Sequence, residues 1–419
     1  MRILDIQTAV IEANYDWTIV KVITDEKIVG YGEAFFAPGL TALIQELKTV
    51  LIGEDPRNVD RLFRRMRTAT IPGGMTGMVL HAITGIETAL LDVVGKRLKT
   101  PVYQLLGGKY RDKIRIYADC HGGDGLESLS PVLLTRTPSW SSEESKADRN
   151  DEQELSMKYH GGKSAEAGKI SPEDYAKQAR KMAEKGFTAL KFDIDVPNPY
   201  SLDDFNRTLT GKEIHFMVQL VSAVREAVGD EVDVAIDCHW NYNVNDALKL
   251  AEELENFNLL WLEDPTPPEN IDALKWVTHE TRVPIASGEN HYLRHQFAKI
   301  LQHQAVNILS PDFHKVGGLL EARRIADLAD MNNVAVAPHN IASPIGTMAA
   351  AHVCGAIPNF HVLEWHSASV PFWSELAKGD DGPLIEQGYL TLDEKPGLGV
   401  ELDEEVAYRY KKHSESFFD

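Results

Sequence analysis

Apolar and polar positions alternate along the start of the chain, most clearly in Trp17-Thr18-Ile19-Val20-Lys21-Val22-Ile23. Turn signals follow at Asp25-Glu26-Lys27 and Gly30. A period of two puts alternate side chains on opposite faces of a strand, so residues 1–36 predict an antiparallel meander. Over 41–69 and 78–97 the period lengthens to that of amphipathic helices, the second ending before Thr100-Pro101. Residues 1–113 therefore predict a small α+β domain.

From Ile114 the rhythm changes. Short apolar runs recur at Thr188–Asp193, Val232–Asp237, Leu259–Glu263, Pro284–Glu289, Asn307–Asp312, Val334–His339 and His361–Glu364, each but the last followed by a helix-like stretch. Parallel strands covered on both faces stay apolar instead of alternating, so 114–366 predict an α/β barrel. An excursion at about 123–170, rich in Ser, Glu, Lys, Gly and Asp, interrupts it and reads as a surface segment or a lid over the barrel mouth. Residues 367–419, with Pro396-Gly397-Leu398-Gly399-Val400, are expected to pack back on the first domain.

Composition narrows the function classes. A formal net charge of −20 over 419 residues argues against nucleic acid, whose phosphates need concentrated Lys and Arg. No apolar run reaches the length of a membrane span, and no signal peptide is read at the start, so no membrane partner is expected. Cys120, Cys238 and Cys354 lie far apart and form no zinc pattern, consistent with a reducing cytoplasm. The acidity poses a problem for an anionic substrate, which a bound divalent cation would resolve by reversing the local field.

The ends of the predicted strands carry the chemistry. Asp237, Glu263, Glu289, Asp312, His339 and Glu364 are separated by 26, 26, 23, 27 and 25 positions, about one βα unit each. Six ionisable groups would then face one barrel mouth. Three crowded carboxylates, Asp237, Glu263 and Glu289, repel one another unless a hard cation joins them, and an oxygen-only set suits Mg²⁺. Asp312 beside His339 would fix the imidazole tautomer and make a general base. Strand alternation places His239 on the same face as Asp237, giving a second imidazole that can protonate a leaving group. Lys191 and Asp193, at the second strand end, are candidate substrate contacts, or else an internal ion pair. A metal facing a strong base points to proton abstraction beside a carboxylate, through an enediolate.

The chain resembles the enolase superfamily, in its mandelate racemase group. The resemblance runs nearly full length and rests on Gly85-Ile86-Glu87-Thr88-Ala89-Leu90-Leu91-Asp92, on Pro101-Val102-Tyr103-Gln104-Leu105-Leu106-Gly107-Gly108, and on the strand-end series. It implies a capping domain on a modified (β/α)₇β barrel, with Asp237, Glu263 and Glu289 as Mg²⁺ ligands, a His339–Asp312 dyad, and Glu364 as electrophile. Asp237-Cys238-His239 is similar to acid-sugar dehydratases, in which that histidine is the general acid. Lys191-Phe192-Asp193-Ile194-Asp195-Val196-Pro197, Trp261-Leu262-Glu263-Asp264-Pro265, Gly288-Glu289-Asn290 and Trp373-Ser374-Glu375-Leu376 are similar to xylonate dehydratases.

Racemases of the group carry a second lysine where this chain has Asp193, which disfavours the alternative of a racemase, epimerase or cycloisomerase. In the group, the dyad face removes protons from acids of R configuration at C2. The expected substrate is therefore a 2R aldonate such as D-xylonate, D-galactonate or D-gluconate, converted to a 2-keto-3-deoxy acid. Trp17, Phe35-Phe36 and Trp373 are expected to cover the mouth, with Trp17 touching substrate. A symmetric homo-oligomer is expected from the class.

Overall fold

The computed structural model describes residues 1–121, 126–128, 157–159, 170–196, 198–201, 208–378 and 382–419. Strands β1 (Ile3–Glu12), β2 (Asp16–Thr24) and β3 (Val29–Ala34) form the antiparallel meander. The periodic stretch 41–69 is two helices instead of one, α1 (Leu40–Lys48) and α2 (Val59–Thr70). Gly53, at φ 80°, and Pro56 fall between them, and neither continues a helix.

Helix α3 (Met78–Leu98) is buried on every face from Val79 to Gly95, so its pattern marks a core helix and not an amphipathic one. It is long and apolar enough to span a membrane by composition, yet 94% of that window is buried inside the protein. Its backbone lies against β3 because both partners are small. A Cβ on Gly32 would sit 2.2 Å from the Gly85 carbonyl oxygen.

Eight parallel strands follow: β4 (Lys113–Cys120), β5 (Ala189–Asp193), β6 (Asp233–Asp237), β7 (Leu262–Glu263), β8 (Ile285–Ser287), β9 (Ile308–Leu309), β10 (Ala335–Val336) and β11 (Leu363–Trp365). Each of the first six pairs with the next in sequence. The ring closes where β11 pairs with β4 and Phe360 bridges to Val336. Between successive strands run helices α4 (Pro172–Glu184), α5 (Gly211–Val228), α6 (Val244–Leu254), α7 (Ile271–Glu280), α8 (Leu293–Gln302), α9 (Leu319–Met331) and α10 (Pro344–Ala356). This is a (β/α)₇β barrel. The expected excursion at 123–170 lies outside the described residues, apart from Leu126–Ser128 pairing with Met157–Tyr159.

The barrel interior is a packed floor beneath the site. Each strand, or the residue flanking it, supplies one side chain: Tyr117, Ala189, Ala235, Trp261, Ala286, Ile308, Ala337 and Val362. Large and small residues are interspersed around this buried cluster.

Buried acids of the N-terminal unit dock it on the barrel by capping helices. Glu33 accepts from the Ser343 and Gly346 N–H groups at the start of α10, both at 3.1 Å. Glu87 accepts from Leu319 and Leu320 at the start of α9, at 2.8 and 3.1 Å. An anion at a helix N-terminus satisfies orphan donors and meets the positive end of the dipole. Asp92 accepts from Tyr31 and from Leu398, tying the C-terminal segment to α3. The Glu87…Asp92 pattern is thus a docking device. Chain ends close on the meander through Lys412 N–H to Val10 and Phe418 N–H to Thr8.

Candidate active site

The strand ends converge as the spacing predicted. One carboxylate oxygen each of Asp237, Glu263 and Glu289 lies within 4.8 Å of the others. Asp237 and Glu263 sit in paired strand positions, facing each other across β6 and β7. Glu289, Asp312 and His339 lie two or three residues beyond the last ladder pair of their strands. Gly288, at φ 151°, makes the turn that presents Glu289.

His339 Nδ1 lies 2.7 Å from Asp312 Oδ2. The other Asp312 oxygen accepts from the His314 N–H, which fixes the carboxylate plane. His339 Nε2 faces Glu289 at 3.4 Å and Glu364 at 3.8 Å. Burial opposes the imidazolium, but Glu289, Glu364 and the Asp312 bond outweigh it and push His339 up to about 9.

Lys191 is buried beneath this array. Its ammonium lies 2.9 Å from Asp237 and Glu364, 3.3 Å from Glu263 and 3.6 Å from Asp119. Four carboxylates around one ammonium leave surplus negative charge. Burial works to protonate Asp237 and Glu364, yet Lys191 dominates and keeps both well below the usual carboxylate range. Glu263 and Asp119 are pushed well up, first by burial and then by the remaining acids. Asp193 is buried at the end of β5, in register with Asp237.

His239 reaches the site by another route than strand alternation. Strand β6 ends at Asp237, and His239 and Trp240 both take left-handed backbone, φ 42° and 53°. Asp237 Oδ1 accepts the His239 N–H at 2.9 Å and holds this turn. The imidazole then lies against Asp195, with Nδ1 to Oδ1 at 3.0 Å, and Nε2 is 3.8 Å from Asp193.

Trp17 is not placed as a substrate contact. It is 2% exposed, and its indole N–H donates to the Ile341 carbonyl at 2.9 Å. Trp373 does the same to Ala342 at 3.1 Å. Two indoles thus pin the backbone just after His339-Asn340. Phe35 is the meander residue that reaches the dyad, its ring centred 6.2 Å from that of His339 and 3.9 Å from Lys315 Nζ.

Other members of the site went unread in the sequence. Asp119 is the penultimate residue of the first barrel strand, one position short of where the strand-end rule, extended back one strand, would have looked. Asn340 donates its backbone N–H to Glu364 at 2.7 Å and links dyad to last strand. Lys315, 3.8 Å from Glu289, and Asp195 sit in loops, where no periodicity marks them.

The donor set fits a hard divalent cation. It is all oxygen. Glu263 Oε2 accepts from the Trp261 indole at 2.8 Å, while its buried Oε1 has no hydrogen-bond partner among the described residues. A buried carboxylate oxygen left this way, beside two further carboxylates, is a position a cation can take.

Two family models match the chain. The enolase C-terminal domain-like model covers residues 174–406, and the mandelate racemase / muconate lactonizing enzyme N-terminal domain covers 6–107. The chain belongs to the enolase superfamily, in its mandelate racemase group. Within this superfamily it is 43% identical to a D-xylonate dehydratase of Haloferax volcanii, over 100% of this chain and 91% of that protein. A D-gluconate/D-galactonate dehydratase of Picrophilus torridus is 28% identical, over 93% of this chain and 86% of its own. A mandelate racemase/muconate lactonizing enzyme-like protein of Rubrobacter xylanophilus superposes with TM-score 0.87 at 40% identity, covering 100% of this chain and 99% of that one.

Proposed function

We propose that this superfamily member is a Mg²⁺-dependent dehydratase of aldonates with R configuration at C2, D-xylonate foremost. The observation that carries the reading is two imidazoles on opposite sides of one carboxylate trio. His339 follows the seventh strand and His239 the third of eight, so they face each other across the barrel. One can remove a proton while the other delivers one. Similarity to the D-xylonate dehydratase supports the acid-sugar class.

Asp237, Glu263 and Glu289 would hold the cation. When bound, Mg²⁺ supplies positive charge that offsets the charge building on the substrate carboxylate as C2 loses its proton. His339, its tautomer held by Asp312, takes the C2 proton on Nε2. Glu364 borders the same space and is hydrogen-bonded to Asp119, whose carboxyl burial pushes up while Lys191 holds Glu364 down. Glu364 can act as the electrophile toward the developing oxyanion only once a proton has passed to it from Asp119. Lys191 balances the remaining charge. His239 protonates the C3 hydroxyl as the C3–O bond breaks, water leaves, and the enol tautomerises to the 2-keto-3-deoxy acid.

The test is a panel of D-xylonate, D-gluconate, D-galactonate and D-mannonate with Mg²⁺, read by keto-acid formation and by C2 deuterium exchange in D₂O. Keto acid is expected from the first three. Turnover of D-mannonate alone refutes the stereochemical part. Deuterium incorporation with inverted configuration and no keto acid identifies a racemase. His339→Asn is expected to lose both readouts by about 10²–10⁴-fold, and His239→Ala to lose dehydration while keeping exchange.

A further inference from the structure

We infer that Asp195 is the positioning residue of the acid, forming with His239 a second imidazole–carboxylate pair that mirrors His339–Asp312 across the barrel mouth. This rests on the dehydratase reading above. His239 Nδ1 lies 3.0 Å from Asp195 Oδ1, beside 2.7 Å in the His339–Asp312 pair. Both contacts use Nδ1, so both rings turn Nε2 to the interior. His339 Nε2 meets Glu289 and Glu364, and His239 Nε2 meets Asp193.

The second pair is anchored from both partners. Asp195 is 5% exposed at its side chain, and its other oxygen accepts from Asn241 Nδ2 at 2.5 Å. That Asn241 is in reach follows from the turn after β6, closed by its N–H to the Cys238 carbonyl at 3.0 Å. On the histidine side, the left-handed residues 239 and 240 aim the ring at Asp195, and such backbone persists in a non-glycine residue only where neighbours hold it. Asp237 accepts the His239 N–H, Trp240 donates to the Asp264 carbonyl, and Ile194 donates to the Asp237 carbonyl. The loop after the second strand and the loop after the third are thus stitched together with the Asp195–His239 contact between them.

A carboxylate on Nδ1 fixes which nitrogen carries the transferable proton. Without it the ring can present the wrong tautomer or rotate away. The base on the far side is untouched, so the defect falls on C3–O cleavage and not on C2 proton removal. In the step itself, the Nε2 proton passes to the C3 oxygen, the C3–O pair leaves with that oxygen as water, and Nε2 keeps its lone pair.

Asp195→Asn in the Mg²⁺-loaded enzyme is expected to slow keto-acid formation from D-xylonate by about 100-fold or more, the low end of what a positioned acid contributes. C2 deuterium exchange should persist. A 3-deoxy-3-fluoro aldonate, whose leaving group needs less protonation, should narrow the deficit to within about tenfold, because less of its barrier depends on the acid. Asp195→Glu should restore part of the rate. Equal loss of exchange and elimination, or an undiminished deficit on the fluoro substrate, overturns the assignment, as does wild-type turnover in Asp195→Asn. A readout independent of substrate uses the metal-free protein with ¹⁵N-labelled histidine, the signal assigned through His239→Ala. Above the pH at which the ring loses its Nε2 proton, neutral His239 should keep its remaining proton on Nδ1 in the wild type and lose that preference in Asp195→Asn. An unchanged tautomer overturns the inference. No keto acid from any aldonate refutes the dehydratase reading instead, and the ¹⁵N result still decides the pairing.

Discussion

Replacing Glu87 with Gln tests how the N-terminal unit is locked to the barrel. Glu87 is 1% exposed, and its carboxylate accepts two N–H groups at the start of α9, the helix that follows the Asp312 strand. Those bonds favour the ionised form, but burial outweighs them and pushes the group from 4.5 up to about 7. At roughly 1.4 kcal/mol per pKa unit, that rise corresponds to ~3 kcal/mol. The folded pKa is raised, so the stabilisation is fully present below pH 4.5 and lost as pH climbs through 7. Glutamine imitates the protonated acid in shape and cannot ionise. It keeps only one acceptor for the two N–H groups, a loss of about 1 kcal/mol at every pH. Glu87→Gln should therefore start below the wild type near pH 4.5 and gain on it by up to ~3 kcal/mol by pH 8.5. In a chain of this size that gain is about 3–6 °C in Tm relative to wild type. Thermal unfolding of both proteins across pH 4.5–8.5 reads it. A wild type that gains on the variant as pH rises would show that the capping bonds dominate burial, and the reasoning would fail.

Further outcomes follow from the same geometry. Lys191→Met leaves Asp237, Glu263, Glu364 and Asp119 without their shared ammonium, so the metal-free protein should lose about 3–5 kcal/mol. Added Mg²⁺ should recover part of the Tm, and no loss at all would refute the central role of the lysine. EDTA should abolish keto-acid formation, and Mg²⁺ at 100 times its Kd should restore it and stabilise the fold by about 2.7 kcal/mol; activity that survives complete chelation counts against the metal assignment. Trp17→Phe strands the buried Ile341 carbonyl at about 1–3 kcal/mol and frees backbone next to His339. Its kcat should fall more than its KM rises, and a pure KM effect would instead return Trp17 to the role of substrate contact.

Much of the site was legible because barrel topology is periodic. Once apolar runs recur at the length of a βα unit, their last residues must meet in one mouth, so Asp237, Glu263, Glu289, Asp312, His339 and Glu364 could be named in advance. The roles expected of the carboxylate trio and the dyad came from residue type, and that of Glu364 from the family resemblance. What sequence could not supply is anything that depends on direction within a loop. His239 looked like a strand residue, yet it faces the site only because two left-handed residues turn the chain after Asp237. Asp195 is 44 positions from the imidazole it holds, with no periodic relation to it. Trp17 offered an aromatic in a domain expected to cover the mouth, but packing turned its N–H to the Ile341 carbonyl. Glu87 and Asp92 read as family signature, and only the docked structure shows them capping α9 and binding Leu398. Periodic hydrophobicity determines which strand ends converge, since burial acts on every residue of a repeat alike. Tertiary structure decides orientation, since a hydrogen bond depends on a few ångströms and one backbone angle.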